Sequence, residues 1–473
     1  MAPLVSNAGS RGMGSPSLLD SFGFVLRSRA AILYPAHVLL NLVYLVAVIL
    51  ALPWVAWRRF SGGRPVAAPW QRFTGGVEVA AKPPAAARIW LHGVSVGEVQ
   101  LLAVLAEELR RQAAASRLPL DCVISSSTTT GLEVAVKRFG ADHAFPCPLD
   151  FTWAVERVLD RARPDLVVLG ELELWPNLVA CIRRRGIPIV VANGRMSERS
   201  AAGYATIGPL VRRTLAAVSL VVARSQADAD RFAALGARDV TVTGSMKFDG
   251  VKGDRRAPEV ERLRQLAGFA AEDIVFLAGS TQDPEERLAT KTYLALRSRH
   301  PRLRLAIVPR HVERSAEIAV LLDALGVAWT ARSRLTDAAP LPAGHALLVD
   351  TTGELAAWWG TAAIAFVGGS LDGRRGGQNM LEPAAYGAAI SFGPHTRNFR
   401  DEVRRLLEAD AAIVVPDGPA LTAFVARCLD EPAWAATLGG NAARFVASQR
   451  GAVAATAGMI LERLPRRGSP ETA

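Results

Sequence analysis

The chain has 473 residues, 55 of them basic and 44 acidic, for a net charge of +11, and 50% are hydrophobic. That balance excludes a disordered chain, and four scattered cysteines without a Cys-x-x-Cys pair exclude a disulfide-stapled miniprotein or a zinc ribbon and favour a reducing compartment. At about 100–200 residues per domain the length calls for two or three domains, and Lys and Arg are too dispersed for nucleic-acid binding, which leaves an anionic membrane or a phosphorylated substrate as the match for the positive field.

After an N-terminal extension, residues 1–29, no charged residue occurs from Ala30 to Trp57, and Val38–Trp57 reads VLLNLVYLVAVILALPWVAW. About 20 apolar residues cross a bilayer as a helix, so residues 30–58 are expected to be a single-pass transmembrane anchor. Tyr34, Trp54 and Trp57 stand where interfacial aromatics belong, and Pro53 lies near the exit. Arg27 and Arg29 precede the run, while Arg58, Arg59, Arg64 and Arg72 follow it; the downstream excess places the catalytic portion on the cytoplasmic side by the positive-inside rule.

A Gly/Pro/Ala-rich linker, residues 59–84, leads into alternating apolar runs and helical patterns, the signature of parallel sheets. Strands are expected at Arg88–Leu91, Cys122–Ser125, Leu166–Leu169, Ile187–Ala192, Leu220–Ala223 and Val240–Thr243. A second series is expected at Ile274–Ala278, Leu303–Val308, Ala346–Val349, Ile364–Val367, Ala389–Phe392 and Ala412–Val415. The fold class is therefore α/β, with two doubly wound Rossmann-like lobes: residues 85–249, a hinge at residues 250–259, a second lobe over residues 260–464, and a tail, residues 465–473.

Polar clusters follow these strands, and open α/β sheets bind ligands beyond the carboxyl ends of their strands. Ser126–Gly131 runs from a strand into a helix, where amides and hydroxyls suit either an anion or a simple N-cap. Glu98 opens a helical pattern after a Gly-rich turn; it reads either as a partner of the helix dipole or as a base for an attacking hydroxyl. Glu171 and Glu173 precede Trp175-Pro176-Asn177, and Pro309-Arg310-His311 with Arg314 offers guanidinium groups for a phosphate. Neither a Gly-x-Gly-x-x-Gly nor a Gly-Lys-Ser/Thr motif is present, which argues against dinucleotide and P-loop chemistry.

From Ile89 to Phe399 the chain resembles the bacterial 3-deoxy-D-manno-octulosonic acid (Kdo) transferases. The first-lobe motifs are Trp90-Leu-His-Gly-Val-Ser95-Val-Gly97-Glu98, Glu171-Leu-Glu173-Leu-Trp175-Pro-Asn177, Asn193-Gly-Arg195-Met-Ser197-Glu-Arg199-Ser200 and Gly244-Ser-Met-Lys247-Phe-Asp249. Those of the second are Ser280–Thr281 with Glu285–Glu286, Val308-Pro-Arg310-His311, Gly353–Glu354, Gly368-Gly-Ser370 and Asn379-Met-Leu-Glu382-Pro383.

The resemblance implies an inverting glycosyltransferase of the two-lobed GT-B architecture. It would move Kdo from CMP-Kdo to a lipid A precursor (lipid IVA) at the bacterial inner membrane, in lipopolysaccharide synthesis, without a metal or other cofactor. Glu98 matches the general base, and Glu171 and Lys247 match transition-state stabilisers. Pro309, Arg310, Thr352, Gly353, Glu354, Asn379, Met380, Leu381 and Glu382 match CMP contacts. Further donor or acceptor contacts are implied for Ser95, Gly97, Arg195, Arg199, Ser280, Thr281 and Gln378. The chain departs from the family at Gln282 and Gln378, where histidine is common, and at Pro284, where glycine is common. A sugar-nucleotide 2-epimerase of similar fold and an inactive membrane-tethered sugar-nucleotide-binding protein are the alternatives.

Overall fold

The computed structural model describes residues 35–60 and 68–465, with side chains in the first segment at residues 37–51 and 53. The expected extension, Tyr34, the Arg64 part of the linker and most of the tail lie outside the described residues. The chain divides into two compact units: one holds the residues up to Thr243 and the segment from Ala454, the other Gly244–Val453.

In the first unit a seven-stranded sheet is built from β1 (Ala87–Gly93), β2 (Leu120–Ser126), β3 (Ala144–Pro146), β4 (Leu166–Gly170), β5 (Ile189–Gly194), β6 (Leu220–Ala223) and β7 (Val240–Val242). Its order is β3-β2-β1-β4-β5-β6-β7, and every pairing is parallel. Helices between the strands cover both faces, so β1 and β4 are buried at every residue and read as unbroken apolar runs rather than alternations.

The second unit repeats the plan with β8 (Ile274–Thr281), β9 (Leu303–Pro309), β10 (Trp329–Ala331), β11 (Ala346–Leu348), β12 (Ile364–Val367), β13 (Ala389–Phe392) and β14 (Ile413–Val414), ordered β10-β11-β9-β8-β12-β13-β14. Strand side chains alternate between faces. Val275 and Leu277 enter one core beside Trp358 and Trp359, whereas Phe276 and Ala278 enter the other beside Tyr293 and Phe424.

All twelve expected strands are present, and β3 and β10 are additions at sheet edges. Each has only three residues, and neither Ala-Phe-Pro nor Trp-Thr-Ala holds the Val, Ile or Leu that marks the other strands. The polar stretch Gly250–Glu259 lies inside the second unit, where Arg255 donates to the carbonyls of Tyr386, Gly360 and Ala362. The motif containing Lys247 also belongs to this unit, because the division falls before Gly244.

A helix, Pro35–Phe60, covers most of the uncharged N-terminal run. It docks on the first unit by one polar face. His37 Nδ1 meets Asn177 Oδ1 at 2.9 Å, and Asn177 Nδ2 donates to Asn41 Oδ1 at 3.0 Å. Asn41 Nδ2 donates to Thr152 Oγ1 at 2.8 Å, and the Tyr44 ring stands edge-on to Phe151 at 6.2 Å. Among the described residues no helix is long and apolar enough to cross a membrane.

At the amino ends of the strands, away from the loops that carry the motifs, the Arg88 side chain is fully buried. Its Nε donates to Asp121 Oδ2 at 2.6 Å, and Nη1 donates to the carbonyls of Ala80 and Ala162. Arg88 and Asp121 are register partners across β1 and β2, so this ion pair fixes the pairing of the two strands. Removing one member of a buried pair strands the other charge, at about 3–5 kcal/mol. Asp121→Ala is expected to lower unfolding free energy in urea by that amount, whereas a loss below about 1 kcal/mol would show that the pair does not hold the register.

Candidate active site

In an open parallel sheet the loops diverge where the strand order reverses, leaving a crevice beyond the carboxyl ends. In the first unit the reversal lies between β1 and β4, and these strands deliver Glu98 and Glu171. The helix Val96–Ala115 follows β1, with Ser95 as N-cap and Glu98 in its first turn. Ser95 Oγ accepts from the Glu98 amide and donates to Glu98 Oε1 at 2.8 Å, and the Val94 amide donates to Oε2 at 2.8 Å. This resembles a capping box, except that the carboxylate reaches past the N-cap to the amide of the residue before it. Two donors leave lone pairs on both carboxylate oxygens, so Glu98 can cap the helix and still accept a proton. Gly97 is exposed between them.

Glu171, directly after β4, has φ +53, and its amide donates to Ala192 O at 3.0 Å. Asn193 near the end of β5 and Ser280 within β8 share this left-handed conformation, with φ 55 and 54. Non-glycine residues held there carry backbone strain that clusters at functional sites.

Glu173 is half-buried and accepts from Trp175 Nε1 at 2.9 Å. Burial first, then the negative charges of Glu98 and Glu171, raise its pKa from 4.5 to about 7. Beneath the loop, His92 is fully buried with Nδ1 2.9 Å from Ser125 Oγ, and burial lowers its pKa to about 4. Ser126 and Thr128 turn their hydroxyls onto the Val94 carbonyl, and Thr128 caps the next helix, so the N-cap reading of Ser126–Gly131 accounts for them. Arg195 is half-buried and Arg199 exposed, on the loop and helix after β5.

In the second unit the reversal lies between β8 and β12, and one carboxylate ties the two strand ends together. Glu285 is 2% exposed. Its Oε2 accepts from the amides of Gln282 at 2.9 Å and Gly369 at 2.7 Å, and Oε1 accepts from those of Ser370 at 3.0 Å and Leu371 at 3.2 Å. Burial raises its pKa against the pull of those amides. A Cβ on Gly368 would lie 2.5 Å from Glu285 Oε2 and 2.6 Å from Thr281 Cα, so only glycine allows this approach.

Of the expected donor-binding residues, Thr281, Arg310 and Gln378 have contacts at or next to this tie. Thr281 is fully buried with its hydroxyl unpartnered, and its carbonyl accepts from the Arg310 amide at 3.0 Å. Arg310 follows Pro309 at the end of β9, and its side chain is exposed. Gln282 and Gln378, the two departures from histidine, meet at Gly369: a Cβ there would lie 3.3 Å from Gln378 Nε2 and 3.4 Å from Gln282 Nε2. Pro284 forms a cis peptide bond with Asp283.

Thr352 and Gly353 are exposed beside Glu354, which takes a two-pronged contact from Arg332 at 3.0 and 2.8 Å and a hydrogen bond from Thr351. Burial works against its charge, but those donors outweigh it and lower its pKa. Asn379 Nδ2 donates to Glu382 Oε1 at 3.0 Å, and its Oδ1 accepts from the Leu381 amide, while Met380 and Leu381 are buried. Burial raises the pKa of Glu382 against the pull of its hydrogen bonds from Asn379 and Trp359. Lys247 Nζ stands 3.8 Å from Glu402 Oε1.

Sequence reasoning left out of its site set Glu173, Gln282, Glu285 and Arg332. Glu173, Gln282 and Glu285 stand in or beside the motifs, whereas Arg332 has no motif and reaches Glu354 only through the fold.

Two outcomes follow. Glu285→Gln puts an amino group against two of the four amides, each then a buried unsatisfied donor at about 1–3 kcal/mol; unfolding free energy is expected to fall by at least about 2 kcal/mol, and an unchanged urea midpoint would exclude the tie. The raised Glu173 pKa means that the folded state holds the proton more tightly. Its contribution to stability is complete below about 4.5 and lost as pH rises through about 7. Glu173→Gln is expected to flatten the thermal-stability profile across that window, and a profile identical to the parent's would refute the assignment.

Residues 69–250 match the family described as 3-Deoxy-D-manno-octulosonic-acid transferase (kdotransferase). The 3-deoxy-D-manno-octulosonic acid transferase of Bordetella pertussis is 34% identical over 389 residues, 80% of this chain and 87% of that protein. That of Haemophilus influenzae is 34% identical over 331 residues, 69% of this chain and 75% of its own length. Among solved structures, UDP-GlcNAc 2-epimerase from Neisseria meningitidis superposes with a TM-score of 0.52 over 80% of this chain and 99% of that one, at 13% identity, which speaks to fold alone. With its two parallel sheets and the signature residues on their strand ends, the chain belongs to the 3-deoxy-D-manno-octulosonic acid transferase family.

Proposed function

We propose that the protein transfers Kdo from CMP-Kdo to a lipid A precursor, with inversion, in lipopolysaccharide assembly at the cytoplasmic face of the inner membrane. The observation that carries this reading is the position of Glu98: a carboxylate held by only two donors at the end of β1, beside the strand that delivers Glu171.

The acceptor hydroxyl gives its proton to Glu98 as its oxygen bonds to the anomeric carbon of the sugar. The bond from that carbon to the phosphate oxygen breaks, and CMP leaves with the electron pair. Lys247 and Arg310 supply positive charge for the departing phosphate, and Glu171 stabilises charge developing on the sugar. Thr281, Gly353, Asn379 and Glu382 offer hydrogen-bonding groups for the nucleotide. With arginine and lysine providing permanent charge, Gln378 needs only to position the donor, which a neutral amide can do.

The purified full chain incubated with CMP-Kdo and a tetra-acylated, bisphosphorylated lipid A precursor is expected to add whole Kdo increments to the lipid by mass spectrometry. An altered sugar nucleotide without lipid mass gain would favour the epimerase alternative. Glu98→Gln is expected to slow transfer by about 10²–10⁴-fold with CMP affinity retained. Turnover within about threefold of the parent would remove Glu98 from the role.

A further inference from the structure

The helix Pro35–Phe60 has two unlike faces. At about 100° per residue, His37, Asn41 and Tyr44 share the side that docks on the first unit. The opposite side carries Leu39, Leu42, Val43, Val46, Ile49 and Leu50, exposed by 54–75%. No charge interrupts this stripe.

Both ends of this segment are tied to the same patch of the protein. Tyr44 packs on Phe151 at 6.2 Å. The next described element, the helix Pro69–Thr74, packs on that same ring through Phe73 at 5.3 Å, and the Leu149 amide donates to Arg72 O at 2.8 Å. From Tyr44 to Phe60 the helix advances about 24 Å at 1.5 Å per residue. A bilayer's hydrocarbon core is about 30 Å thick.

If the helix pierced that core, the chain from Phe60 would have to return through it to reach Pro69. Nine residue steps extend at most about 30 Å, too few for the roughly 20-residue helix a crossing needs, and they would draw the charge of Arg64 through hydrocarbon. Arginines bracket the run at both ends, Arg27 and Arg29 before it and Arg58, Arg59 and Arg64 after it. That symmetry suits two ends at one headgroup layer. Trp70, 60% exposed beside Phe73, adds an aromatic of the interfacial type.

We propose that this helix lies in the plane of one membrane leaflet, its polar face clasped by the first unit and its apolar stripe in lipid, so that the protein is monotopic rather than single-pass. The inference rests on the membrane association proposed above and replaces its topology. It is independent of the transfer reaction.

The four natural cysteines are free and buried, so introduced cysteines can be labelled selectively. Ser28→Cys, Ser61→Cys and, on the enzyme body, Ser116→Cys are made singly in the full chain and probed with a membrane-impermeant maleimide in sealed inner-membrane vesicles of known orientation. All three are expected to react from the same side. Reaction of Ser28→Cys and Ser61→Cys from opposite sides would overturn the in-plane helix while leaving membrane association intact.

In a second arm the purified chain is sedimented with vesicles of phosphatidylethanolamine and phosphatidylglycerol. Binding is expected for the parent and is expected to fall at least about tenfold for the Leu42→Glu/Val46→Glu double variant, with an unchanged unfolding midpoint. A parent that does not bind the vesicles but dimerises by sedimentation velocity, with dimerisation lost in the double variant, would make a second copy the occupant of the stripe and overturn the lipid assignment.

Discussion

Parallel strands covered on both faces hold charge only where it is paired, as Arg88 and Asp121 are at the amino ends of β1 and β2, so the remaining polar chemistry collects where the strand order reverses. Both units obey this constraint. In the first, β1 and β4 deliver Glu98 and Glu171 to the reversal. In the second, β8 and β12 end in polypeptide loops that would splay apart, and Glu285 holds them by accepting four amides. A buried carboxylate so fully hydrogen-bonded acts like a fixed backbone bridge, giving the Thr281 hydroxyl and the Gly368-Gly369-Ser370 turn one shared geometry.

Much of this was legible before any coordinates. Apolar runs marked twelve of the fourteen strands, and in the central ones burial on both faces removes alternation. The short edge strands β3 (Ala-Phe-Pro) and β10 (Trp-Thr-Ala) were not legible, since neither holds the Val, Ile or Leu found in each of the twelve expected strands. Thr281 and Gln378 were singled out from their motifs, but the Glu285 tie beside them needs pairings across 84–86 positions that no local pattern encodes. Asp150 was equally silent in sequence. It caps the helix after Trp175 by accepting from the amides of Asn177 and Leu178, a cap supplied from outside the helix's own neighbourhood.

Glu98 shows why a capping reading and a catalytic reading need not compete. The donors that make it a cap, Ser95 Oγ and the Val94 amide, also fix the direction of its carboxylate, the preorganisation a base needs. The glutamines at positions 282 and 378 show a related economy. Converging on Gly369, they retain hydrogen-bonding capacity without titrating, so the polarity of this turn does not change with pH as an imidazole's would.

The clasp on the N-terminal helix also has a history in time. His37 leaves the ribosome 140 residues before Asn177, its hydrogen-bond partner, and Asn41 leaves 111 residues before Thr152. At about 5–20 residues per second the first gap lasts roughly 7–28 s. Throughout that interval the helix is made while the surface that will hold it is not. Its polar face has only water to bind until residues 151–177 are made. The clasp therefore closes from the later partner, with the surface around Asn177 and Thr152 folding onto a helix made before it.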